Sequence, residues 1–278
     1  MHGAHGQSFS LTSGADSIQG TAGNDTIIAV AGSLSAGDSI NGGGGKNLLQ
    51  LFGAGSFDLS QPAALRHISV VQGANEAQAV TLSGSANLVF RGGNGDSVIT
   101  SLAGNDSIAT GAGNTTVHGG SGNDLITAGS GADLIFAGSG HATVRGGSGN
   151  DTINGGDGGD KIAAGSGNTI IVGGAGKDTI EAGIGNDSVT LGGGADVLKL
   201  AYSEHAAGTI LVADFTHGSD RIDAGQFARN FRDLQAHSTI TGSAGGLVIQ
   251  IADGPTITLV GATTVTGSDF VFWGHPHG

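Results

Sequence analysis

From Ser101 to Lys199 the chain reads as eleven consecutive nine-residue units without insertion or deletion, and this register constrains the fold more than anything else in it. Position eight of the units is Ile108, Val117, Ile126, Ile135, Val144, Ile153, Ile162, Ile171, Ile180, Val189 and Leu198. One aliphatic residue at a fixed spacing, with outward-facing neighbours on both sides, describes a strand that buries one side chain and is stacked on copies of itself. Each unit therefore reads as a six-residue turn followed by a three-residue strand. The expected fold is all-β: a right-handed parallel β-solenoid, two- or three-sided, capped by a C-terminal β-rich domain. The 56 glycines belong to the turns, where they supply backbone angles that other residues avoid.

The acidic residues of those turns point to a cation. Of the 23 acids only Glu76, Glu181 and Glu204 are glutamates, a bias towards the short carboxylate that suits tight turns and ligation. Ten scattered Lys and Arg in a chain of formal charge −13 argue against nucleic acid as a partner. Calcium is a hard ion that takes six to eight oxygens, and neighbouring turns can offer it carbonyls together with an Asp from each. Without it, carboxylates stacked at about the strand spacing of 4.8 Å repel by roughly 1 kcal/mol per pair even at the dielectric of water. The candidate carboxylate ligands are Asp16, Asp25, Asp106, Asp124, Asp133, Asp151, Asp160, Asp178, Asp187 and Asp196. The candidate carbonyls are those of Gly119, Gly122, Gly129, Gly131, Gly146, Gly149, Gly156, Gly158, Gly173, Gly176, Gly183 and Gly185.

"GTAGNDTII" from Gly20, "GGSGNDTIN" from Gly146 and "GGAGKDTIE" from Gly173 follow G-G-x-G-x-D-x-U-x, and on these residues the chain resembles the RTX, or hemolysin-type, calcium-binding repeat proteins. The resemblance implies a calcium β-roll with two units per turn. A longer period favours three: position six loses aspartate at Thr115, Ala142 and Thr169, and Gly-Gly doublets recur at Gly92, Gly119, Gly146 and Gly173, both every 27 residues. With the period given slightly more weight, Asp106, Asp133, Asp160 and Asp187 stack on one edge, and Asp124, Asp151 and Asp178 on another. The third edge is then neutral, with Asn114, His141 and Asn168 beside it. Thr116 and Thr143 are the candidate residues of a ligand face there, a row interrupted by Arg145 and Ile170.

The chain divides by composition into a His/Gly tail (1–10), a divergent N-terminal solenoid (11–91), the regular calcium-binding solenoid (92–199), a C-terminal domain (200–273) and a second tail (274–278). In the divergent part Asn47 stands where an Asp is expected, which removes a ligand. "VADFTHGSDRIDAGQF" from Val212 and the alternating Leu247-Ile249-Ile251 resemble the C-terminal domain of RTX proteins exported by type I secretion. That resemblance implies an uncleaved export signal, the secretion apparatus as a partner and an extracellular or cell-surface location. The N-terminus has no basic start and apolar core of a secretory signal, and no apolar run is long enough to span a membrane. No cysteine is present to staple the fold.

No glutamate follows a histidine and no serine sits between glycines in a nucleophile elbow, so metalloprotease and lipase motifs are absent. His67, His205, His217 and His237 read as ordinary surface or packing residues. His2, His5, His275 and His277 lie in the tails without a fixed metal geometry. The expected function is a secreted, non-enzymatic protein that folds on extracellular calcium and acts as a structural or interaction module, with a surface protein or polysaccharide as partner. The alternatives are a polysaccharide- or ice-binding solenoid and an accessory module of an extracellular enzyme.

Overall fold

The computed structural model describes residues 5–84, 87–201 and 208–273. His2, His205, His275 and His277 lie outside the described residues. The chain falls into two compact units, Met1–Leu134 and Ile135–Gly278. None of the described helices is long and apolar enough to cross a membrane.

In the first unit one parallel sheet runs through Ser8–Ser10, Thr26–Val30, Leu48–Phe52, Val70–Gln72, Val89–Arg91, Ser107–Ala109 and Leu125–Thr127. A second runs through Gly55–Asp58, Gln78–Thr81, Val98–Thr100 and Thr116–His118. Ser17–Gln19, Ser39–Asn41 and Ala64–Arg66 form a third, short ladder. The pairing distance shrinks along the chain: Thr26 pairs with Leu48, Phe90 with Val71, and Ile108 with Ile126. The early turns are thus longer, in keeping with their irregular sequence.

In the second unit one face is built from Thr143–Arg145, Lys161–Ala163, Thr179–Ala182, Val197–Leu200, Arg221–Asp223 and Phe270–Val271. The other is built from Thr152–Asp157, Ile170–Ala175, Asn186–Gly193, Thr209–Val212 and Thr256–Val260, all parallel. Gly246–Ile251 and Ser238–Ser243 then continue this face antiparallel. Leu247, Ile249, Ile251, Ile257 and Leu259 are buried there, matching the expected one-faced sheet. Its strands extend the solenoid ladder itself, so the edge beyond Thr209–Val212 is paired.

The register decides the number of sides. Val144 pairs with Ile162 and Ile162 with Ile180, while Ile153 pairs with Ile171 and Ile171 with Val189. Every partner lies 18 residues away, so successive nine-residue units alternate between two faces. These aliphatic side chains are at most 2% exposed and form the core between the sheets. The expected three-sided arrangement is therefore corrected to a two-sided one, and no third, neutral edge exists. The 27-residue recurrence is a feature of the sequence that the stacking does not follow.

Candidate calcium sites

Two units per turn place the position-six residues in two rows, one along each edge. In the second unit one row reads Ala142, Asp160, Asp178 and Asp196. Ala142 N–H donates to Asp160 Oδ1 at 2.7 Å, Asp160 N–H to Asp178 Oδ1 at 2.8 Å, and Asp178 N–H to Asp196 Oδ1 at 2.8 Å. The opposite row contains Asp151, Thr169 and Asp187, with Thr169 N–H on Asp187 Oδ1 at 2.9 Å. In the first unit Asp106 N–H holds Asp124 and Thr115 N–H holds Asp133, each at 2.7 Å. One oxygen of each of these carboxylates is thus pinned by the neighbouring turn.

The second oxygen carries the chemistry. Oδ2 of Asp124, Asp160, Asp178, Asp187 and Asp196 is buried with no hydrogen-bond partner among the protein's own groups. Burial is the leading cause that pushes the carboxyls of Asp124, Asp160 and Asp178 up to about 6, reinforced by the neighbouring Asp106, Asp178 and Asp196 respectively. Burial also raises Asp133, Asp187 and Asp196. A buried carboxylate oxygen without a donor is costly unless a cation satisfies it.

The turn glycines leave room for that cation. A Cβ on Gly155 would lie 2.7 Å from Asp160 Oδ2 and press on the Gly173 carbonyl oxygen. One on Gly173 would lie 2.6 Å from Asp178 Oδ2 and press on the Leu191 carbonyl, and one on Gly146 would meet Asp151 Oδ2 at 2.9 Å and the Ala164 carbonyl. In each case a carboxylate oxygen and a carbonyl from the next turn converge on the bare side of a glycine. Oxygens in such a cradle suit a hard ion whose Ca–O distances are about 2.3–2.6 Å. The residues fit calcium: Asp151, Asp160 and Asp178 with the carbonyls of Ala164, Gly173 and Leu191 would hold it. Asp187 and Asp196 offer an open oxygen, but Ala182 and Leu191 occupy the place of the bare glycine.

Other expected carbonyls, those of Gly149, Gly156 and Gly158, point at the bare Cα of Gly167, Gly174 and Gly176 one turn on. The same glycine-on-carbonyl stacking sets Gly122 and Gly129 on the carbonyls of Gly104 and Gly111, Gly131 on Gly113, Gly183 on Gly165, and Gly185 on Gly167. Gly119 carries no comparable contact in the description. The Ala164 and Leu191 carbonyls escaped the sequence reading because that reading searched only glycines. Among the described residues no three His, Asp or Glu side chains gather as a metal cluster. The cradles found here draw on backbone oxygens together with carboxylates.

The remaining expected ligands sit differently. Thr12 donates its N–H to Asp16 Oδ2 at 2.7 Å, and its hydroxyl reaches the same carboxylate. Asp25 accepts the N–H of Gln7 on Oδ1, and the N–H and hydroxyl of Thr21 on Oδ2. The Gln7 amide leads the effects that hold the Asp25 carboxyl below its ordinary range. Asp106 accepts Leu88 N–H on Oδ1 and the Ser101 hydroxyl on Oδ2. Thr116 stands in register with Val98, and Thr143 with Lys161.

A side-chain ladder at position five was not anticipated. Asn105 Oδ1 accepts from Asn123 N–H, Asn150 from Asn168, and Asn168 from Asn186, at 2.8–2.9 Å. His141 takes the same role, its Nδ1 lying 3.0 Å from Gly159 N–H. The frequent Asn before the Asp was the available signal. His67, His217 and His237 are each tied to a local partner, Asn41, Asp269 and Asp233.

Comparison with known families finds the RTX calcium-binding nonapeptide repeat at residues 11–33, 89–117, 110–144, 136–171 and 164–198. This is an RTX-repeat protein. The matches cover the regular solenoid of the RTX protein and its first two turns, and leave the longer turns between residues 34 and 88 unmatched. No curated protein matches the chain. The RTX repeats and the two-sided parallel solenoid together make it a calcium-binding β-roll protein.

Proposed function

We propose that this RTX protein is a secreted, non-enzymatic module that folds when it meets extracellular calcium and then serves as a structural or interaction element at or near the bacterial surface. The observation that carries the reading is the row Asp160-Asp178-Asp196, three buried carboxylates whose second oxygens have no donor. In the metal-free chain their mutual repulsion and desolvation oppose the stacking that the aliphatic core favours. Bound calcium supplies positive charge that bridges a carboxylate of one turn to a carbonyl of the next. The protein's part is to hold each Asp in place through its Oδ1 hydrogen bond and to keep the cradle open with a glycine.

Binding to the folded state alone makes folding depend on calcium concentration, so the chain stays loose where calcium is scarce. This is the property an exported chain needs, and RTX repeats together with the absence of cysteine support secretion. The resemblance of the stretch after Val212 to type I secretion domains supports a C-terminal signal. The absence from this sequence of protease and lipase motifs supports a non-enzymatic role.

A calcium titration of metal-stripped protein, read by circular dichroism with bound calcium counted, tests the folding step. A cooperative rise of β-signal with several ions per chain is expected. A full β-signal in chelator would sink the proposal. Export is tested separately by deleting residues 208–273 in a host carrying a type I system; the reading requires loss of the protein from the medium.

A further inference from the structure

The same turn is closed in two ways in this chain, and the residue at position two decides which. At Gly20 the cradle has the shape seen at Gly173: an added Cβ would lie 2.7 Å from Asp25 Oδ2 and press on the Gly42 carbonyl. At Gly173 the next residue, Gly174, has φ +112°, and Asp178 Oδ2 receives no donor. At Gly20 the next residue is Thr21, which is not among the residues of positive φ, and it turns both its N–H and its hydroxyl onto the Asp25 carboxylate. A threonine cannot readily adopt the left-handed conformation, so the peptide flips and its N–H reaches the oxygen that an ion would otherwise take.

This replacement recurs throughout residues 8–110. Thr12 closes on Asp16, Ser35 on Asp38 through its N–H and hydroxyl, and Ser101 on Asp106. Two amides serve the same end: Asn47 Nδ2 donates to the His67 carbonyl at 2.8 Å, and Gln78 Nε2 to the Gly53 carbonyl at 2.8 Å. There the amide joins one turn to the carbonyl of another, as an ion would. In the second unit Thr216 N–H closes on Asp220, and both oxygens of Asp214 accept backbone N–H groups, from Leu191 and Gly192.

We infer that the turns of residues 8–110 are not calcium sites, despite the repeat match at 11–33, and that this stretch is a calcium-independent template beside the conditionally folded repeats. The inference rests on the folding role proposed above. Calcium dependence is then confined to the repeats with open carboxylates, from Asp124 in the first unit to Asp196 in the second.

Hydrogen exchange of the full chain, resolved by peptide, with chelator and with calcium, tests the division. Strands Thr26–Val30, Leu48–Phe52 and Val70–Gln72 are expected to keep their protection in chelator. Strands Lys161–Ala163, Ile170–Ala175 and Thr179–Ala182 are expected to lose about 100-fold or more, the factor set by calcium at about 100 times its dissociation constant. Loss of protection in both groups, with calcium still bound by the intact chain, would overturn the division and leave the folding role standing. Full protection of both groups in chelator would overturn both. A second arm uses Thr21→Gly, which restores the glycine pair. One additional ion per chain is expected by calcium counting, and an unchanged count would overturn the assignment of Thr21 as the group that displaces the ion.

Discussion

Asp25 and Asp178 occupy the same place in the repeat, yet one is satisfied by Thr21 and the other by nothing in the chain. The difference arises from a single neighbouring residue, which makes the sites testable one side chain at a time. Asp178→Ala and Asp151→Ala are each expected to raise the calcium concentration at the folding midpoint. Thr169→Ala should leave it nearly unchanged, because it removes a buried hydroxyl that has no partner. Equal shifts in a calcium titration of all three variants would refute the ligand assignment. Gly173→Ala should abolish one site, since its Cβ would enter the cradle beside Asp178 Oδ2, whereas Gly193→Ala meets nothing within 4 Å and should bind calcium like the parent. Isothermal calorimetry would count the ions in each variant.

Three residues per strand are too few for stability in isolation, so each strand depends on the stack above and below it. Ile162 and Ile171 sit at its centre at 2% exposure or less. Ile162→Ala is expected to cost about 2–5 kcal/mol, measured as denaturant unfolding in saturating calcium. A cost below about 1 kcal/mol would mean that the ions, not the aliphatic core, hold the sheets together. The strands themselves were legible in the sequence: Leu48–Phe52, Val70–Gln72, Gln78–Thr81 and Val89–Arg91 fall where short apolar runs place them. The number of units per turn was not, because the aliphatic pattern repeats every nine residues whether the turn closes after two units or three.

For the whole chain, protons and calcium compete for the same carboxylates. The folded, metal-free protein holds Asp124, Asp160 and Asp178 at about 6, raised from an ordinary 3.8 mainly by burial. A raised folded-state value means that these groups favour the metal-free fold below about pH 4 and lose that contribution as pH rises through about 6. In chelator, β-signal at pH 5 should therefore exceed that at pH 7. In calcium the order reverses, because the ligands must be ionised. Circular dichroism at the two pH values, with and without calcium, checks both signs; a metal-free signal larger at pH 7 would contradict the burial of these carboxylates.

What the sequence determined by itself was local and repetitive: the nine-residue unit, its inward aliphatic residue, its glycine turn, and an aspartate suited to calcium. These follow from alternation along a strand and from backbone freedom in a turn, both properties of a few consecutive residues. The tertiary structure alone decided the rest. Pairing at 18 residues set the rows of carboxylates, and stacking of one turn on the next brought the Leu191 and Gly173 carbonyls to their cradles. The direction of one peptide N–H at Thr21 distinguished a turn that closes on itself from one left open for an ion. Each of these depends on which groups meet across turns, and a motif shared by both kinds of turn carries no record of that meeting.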